Sequence, residues 1–152
     1  MKDYPAIKNP RPEALVICCG DPRLGTVLPD FIKRSLSLAQ GKFVLVIVAG
    51  GPASLAHRKT DADGYYYLTR QIAFYIQTFE SIKRIIIIGN QDNGHYKNII
   101  NHPDTHEREK RDLPRAVAEI RRILENPEIK IEAYYAKFTD LCFSMVSFEE
   151  II

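Results

Sequence analysis

The chain predicts an α/β fold: three layers, α/β/α, around a mainly parallel sheet of order 2-1-3-4, with an antiparallel C-terminal strand at the edge. Three observations carry this prediction. The apolar runs at residues 14–19, 43–48 and 84–88 are almost uninterrupted, as in parallel strands buried on both faces. Stretches with helical spacing separate them, giving strand, helix, strand, helix, strand, helix, strand. Each apolar run stops at a polar or glycine-bearing turn, and right-handed crossovers gather such turns at one end of the sheet. Ligands of open α/β sheets bind beyond the carboxyl ends of the strands. The function of this chain is therefore sought in its three turns.

Taken in order, residues 1–13 carry Pro5, Pro10 and Pro12 and read as an extended N-terminal arm, placed to lie on a partner subunit. Residues 14–152 read as a single domain. After the first strand, Thr26 is a candidate cap for a helix with Leu28, Phe31, Ile32, Ser35, Leu36 and Ala39 on one face, closed by Gly41. The second strand, residues 43–48, runs into Ala49-Gly50-Gly51-Pro52, and residues 53–63 read as a loop. A helix capped by Asp61 or Asp63 follows, with Tyr65, Leu68, Ile72, Tyr75, Ile76 and Phe79 on its stripe. Tyr65, Tyr66, Tyr67 and Tyr75 cannot all face one core, so this helix is expected to offer surface contacts.

The third strand feeds a second polar turn, residues 89–96. His102 and His106 are expected in a surface loop beside Pro103. Asp112 reads as the cap of a third helix, with Leu113, Ala116, Val117, Ile120, Ile123 and Leu124 inward and Asn126-Pro127 at its end. Residues 129–135 alternate apolar and polar, which suits a half-exposed strand. Thr139-Asp140 then turns the chain into the antiparallel edge strand, within residues 141–148.

With 21 basic and 19 acidic residues the net charge is +2, and nothing in that balance asks for nucleic acid. The basic residues between 108 and 122 alternate with Glu109, Asp112 and Glu119, as on a solvated helix. The longest apolar runs fall far short of the roughly 20 residues that span a bilayer, so no membrane partner is expected. Three cysteines, an odd number, and the lack of a signal-peptide pattern point to a reducing, cytoplasmic compartment. Cys18 and Cys142 are expected to be buried and inert.

The chemistry concentrates in the first turn, Cys19-Gly20-Asp21-Pro22-Arg23. A thiol, a carboxylate and a guanidinium alternate where a buried strand ends. Asp21 and Arg23 are expected to pair by charge-assisted hydrogen bonds. The glycine turns Gly50-Gly51 and Gly89 to Gly94 expose backbone N–H groups suited to a small anion.

Three turns in this order, Cys19-x-Asp21-x-Arg23, Ala49-Gly50-Gly51 and Gly89-Asn90-Gln91-Asp92-Asn93-Gly94, resemble the signature turns of the β-class carbonic anhydrases. The resemblance covers roughly residues 15–94. It implies the fold above, a homodimer, and a zinc site made by the cysteine of the first turn with the histidine and cysteine of a His-x-x-Cys-Gly turn. Cys19, Asp21 and Arg23 match that pattern. The histidine position holds Asn90, the second cysteine position holds Asn93 and, where the family often has Arg-Asn in the second turn, Ile47-Val48 stands.

Asparagine offers a neutral amide oxygen, a poor replacement for imidazole or thiolate at zinc. The reading is thus a carbonic-anhydrase-like protein that is no conventional zinc-dependent CO2 hydratase, holding no cofactor and binding a small anion, a CO2- or bicarbonate-like ligand or a partner. Cys19, Gly50, Gly51, Asn90, Asn93 and His95 are the ligand-binding candidates. Two alternatives stay open. One is CO2 hydration by carbonate dehydratase chemistry, with Asp21 and Arg23 catalytic and either no metal or a zinc held by substitutes, Cys19, Asp21 and His95. The other is thiol chemistry at Cys19.

Overall fold

The computed structural model describes residues 2–101, 105–142 and 144–152. Strand β1, Ala14–Cys19, is the centre of assembly, pairing in parallel with β2, Phe43–Val48, on one side and β3, Arg84–Asn90, on the other. Beyond β3 lie β4, Lys130–Phe138, in parallel, and β5, Val146–Glu150, antiparallel at the edge. The order β2-β1-β3-β4-β5 agrees with the sequence expectation. Residues 2–13 contain no helix or strand, and Tyr4 and Ile7 are exposed there.

Two cores sandwich the sheet because successive side chains of a strand point to opposite faces. On one face, Leu15, Ile17, Ile85 and Ile87 meet Leu68 and Ile72 of helix α3, Ala62–Thr78, and Val117 and Ile120 of helix α5, Thr105–Leu124. On the other, Val16, Cys18, Ile86 and Ile88 meet Leu28 and Ile32 of helix α1, Val27–Arg34. Phe31 of α1 stacks on Phe148 of β5 at 3.9 Å, which draws α1 toward that edge. The opposite edge is left open: Leu45 and Ile47 of β2 are 39% and 56% exposed. All-apolar β2 is therefore covered on one face only, not on two.

Other expectations are corrected. Helix α1 ends at Arg34, and Ser37 at φ 57° makes the turn ahead of Gly41. Residues 53–63 include a short helix, α2, Ala53–Ala56. Strand β4 is interior and buried, and its Glu132 is admitted because Arg84 Nε lies 2.8 Å from its carboxylate. Cys18 is buried, but Cys142 is exposed. Of the α3 tyrosines, Tyr65 is buried while Tyr66 and Tyr67 are half exposed.

The largest correction concerns α5, which begins at Thr105 and runs through Pro114. Asp112 is thus an interior helix residue, not a cap. Its carboxylate turns inward to partners on other elements, and Glu109 is buried with it, so this helix is not solvated all round. The backbone of His106 lies in α5 rather than in a loop; His102 lies outside the described residues.

Candidate functional site

Register brings the three turns together. Cys19 lies beside Val48 and Cys18 beside Ile88, so the chain leaves β1, β2 and β3 at one end of the sheet. Asp21 caps a short 3-10 turn, Pro22–Leu24, accepting the Arg23 backbone N–H at 2.9 Å. The Arg23 side chain then folds back: Nε donates to Oδ1 at 3.0 Å and Nη2 to Oδ2 at 2.6 Å. This two-pronged bond holds the Asp21 carboxyl below the usual carboxylate range, against burial. Arg23 also donates to Asp92 Oδ2 at 3.4 Å and lies 4.5 Å over the Phe138 ring. One guanidinium thereby ties the ends of β1, β3 and β4.

The glycine turn is required by contact as well as by conformation. Gly50 and Gly51 have φ of 77° and 57°, values that favour glycine. A Cβ on Gly50 would lie 2.5 Å from His95 Cγ, and one on Gly51 would lie 3.0 Å from the Cys19 backbone nitrogen. His95 packs against this turn, with Nε2 3.0 Å from Asp61 Oδ2. That approach is close enough for an ion pair but lacks hydrogen-bond alignment, so Nε2 has no hydrogen-bond partner among the described residues. Asp61 itself is held by Ser54 Oγ at 2.5 Å and the Gly64 N–H at 3.1 Å.

Asn90 and Asn93, 1% and 4% exposed, link these turns. Asn90 Nδ2 donates to Asp21 Oδ2 at 3.0 Å, and Asn93 Nδ2 donates to Asn90 Oδ1 at 3.0 Å. Asn93 Oδ1 accepts the His95 N–H at 3.0 Å, capping the short helix α4, Gly94–Asn98. Each amide oxygen thus faces a donor within its own turn. Zinc asks for thiolate, imidazole or carboxylate in convergent directions, and this amide chain does not provide them. Among the described residues no group of three His, Cys, Asp or Glu side chains is arranged to hold a metal ion. The donor set does not fit zinc.

The sequence-chosen residues border an open cleft of about 810 Å³. Cys19, Asp21, Arg23, Gly50, Asn93 and His95 line it, facing an apolar wall of Ile47, Val48 and Ile99. Gly51 and Asn90 do not reach it; they form the layer behind.

That layer contains what sequence reasoning missed. Asp112 Oδ2 lies 2.5 Å from His57 Nε2 and accepts from Arg108 Nε at 3.0 Å, while Oδ1 accepts from Arg115 at 3.3 Å. Burial opposes ionisation of Asp112, yet His57 and Arg108 outweigh it and keep its carboxyl low. Three residues earlier on the same helix, Glu109 Oε1 accepts the Asn93 backbone N–H at 2.9 Å. The available signal was the i, i+3 spacing of Glu109 and Asp112, which shares a helix face.

No family model matches the chain, and no curated protein matches it in sequence. Solved structures do match it in shape. A β-carbonic anhydrase, isoform I, from Trichomonas vaginalis superposes with a TM-score of 0.61 at 14% identity, covering 99% of this chain and 88% of that one. A carbonic anhydrase from Streptococcus mutans gives 0.55 at 15% identity, and one from Glaciozyma antarctica 0.53 at 17%, each covering 94% of this chain and 83% of the other. With its strand order, its crossovers and these superpositions, the chain has the fold of the β-carbonic anhydrases.

Proposed function

We propose that this chain uses a carbonic-anhydrase-like fold without conventional zinc-dependent CO2 hydration, and that its cleft binds a small bicarbonate-like ligand in a cytoplasmic homodimer. The observation that carries the reading is the closed chain Asp21, Asn90, Asn93, His95, in which the amides hydrogen-bond to one another at 3.0 Å. A metal at the Asn90 and Asn93 positions would have to break that chain and would gain only neutral amide oxygens there. His95, the candidate substitute ligand, is turned to Asp61. An anion would reach Arg23 only by competing with Asp21 and Asp92, so its binding is weak. The homodimer reading is supported by Leu45 and Ile47 on the open edge.

Purified without added metal, the protein should hold well under one zinc per chain by elemental analysis, and hydrate CO2 no faster than Cys19→Ala. Asn90→His with Asn93→Cys should raise zinc affinity sharply. Stoichiometric, tightly bound zinc in the natural chain would overturn the proposal.

A further inference from the structure

Behind the cleft, Glu109 stands apart from every other carboxylate described above. It is 3% exposed, and while Oε1 accepts the Asn93 N–H, Oε2 is buried with no hydrogen-bond partner among the described residues. It borders a small, partly open space of about 10 Å³ shared with Asn90, Asn93, Tyr96 and Asp112, near the lower limit for one water molecule. An ionised carboxylate oxygen left in such a place costs far more than a protonated one, which needs only one acceptor.

We propose that this space is a proton and water site, in which Glu109 keeps a proton on Oε2, donates an O–H hydrogen bond to a single water, and holds the Asn93 turn in place through Oε1. Glu109 is a positioning residue here, since it acts on the cleft only through Asn93. The groups around it agree with the assignment. Asp92 on the turn after β3 and Asp112 on α5 are both acids. Lys97 and Arg23 both pair with Asp92. His57 and Arg108 are directed at Asp112, and Tyr96 donates to Asp112 at 3.4 Å, leaving an oxygen lone pair for a water. Burial first, then the charge of Asp92, push the Glu109 carboxyl up to about 8, against the Asn93 N–H, Lys97 and Arg23.

The sign follows from linkage. The folded chain keeps a proton that the unfolded chain releases near the ordinary value of 4.5. The contribution to stability is therefore full below that value, declines as pH rises, and is gone above about 8.

Glu109→Gln is the test, because its amide NH2 replaces the O–H donor permanently while its oxygen still accepts from Asn93. The melting temperature of the variant minus that of the natural chain should widen by about 10 °C between pH 5.5 and pH 9. In the natural chain, the Asn93 amide resonance should titrate with a midpoint near 8 and stay flat in the variant. Parallel melting profiles, or a Glu109 side-chain carbon signal that titrates at the ordinary glutamate value, would overturn the assignment. Both readouts are independent of zinc content and CO2 hydration, so they stand or fall apart from the proposed function.

Discussion

The front and the rear of the β3 turn are built alike and are legible to different degrees. In front, Asp21 is ringed by Arg23 and Asn90; behind, Asp112 is ringed by His57, Arg108 and Arg115. Each is a carboxylate kept charged by donors that offset its loss of water. The front pair spans two residues and closes within one turn, so a spacing pattern reveals it. His57 and Asp112 are 55 residues apart, and their meeting depends on how α5 lies against α2. Local chemistry can be read from a sequence, while a cluster assembled by packing needs the fold.

The sharpest way to test this parity is to remove the rear carboxylate. Asp112→Ala leaves His57, Arg108 and Arg115 without their shared acceptor, His57 among them buried. Breaking a buried charge cluster from one side costs about 3–5 kcal/mol. Chemical denaturation should therefore show the largest loss of stability for this variant, with the cleft turn loosened because α5 also carries Glu109. A loss no greater than that of a surface substitution would show the rear cluster to be peripheral.

In front, Arg23→Ala should cost less, about 1–3 kcal/mol, because Arg23 is partly exposed while the Asp21 side chain is 9% exposed. The pH dependence gives the assignment. A carboxylate whose folded value is lowered contributes stability above its ordinary value, here 3.8, and loses it as pH falls through the folded value. The gap between the natural chain and the variant should be widest near neutrality and shrink as pH falls below 3.8. A constant gap would mean that Arg23 acts by packing on Phe138 alone.

The same contrast explains which parts of the fold and site could be read in advance. Strand order, crossovers and the convergence of three turns followed from periodicity and turn residues. Helix α5 was misread because Asp112-Leu113-Pro114 imitates a helix start. The sequence cannot signal that a carboxylate in such a frame meets the buried His57 and the side chains of Arg108 and Arg115 instead of its own N–H groups. Strand β2 was overread for a related reason. Its all-apolar run implies two covered faces, but coverage depends on where α1 lies, and α1 is drawn to β5 by Phe31 and Phe148.

The smallest effect on stability is expected at that open edge, and it separates two reasons for an apolar surface. Leu45 and Ile47 point away from the α3 and α5 core and are 39% and 56% exposed, so in an isolated chain Leu45→Lys with Ile47→Lys should change stability by no more than about 0.5 kcal/mol per site. Charges on an edge strand also oppose pairing with another chain. In the proposed homodimer both lysines would be driven into an interface core, where charge is poorly tolerated. Light scattering should then show the natural chain at twice its 17.4 kDa mass and the double variant at one. Circular dichroism and melting of the diluted, monomeric forms should be nearly alike. A natural chain that is monomeric at high concentration would remove the homodimer from the proposal while leaving the cleft, the amide chain and the Glu109 site as they stand.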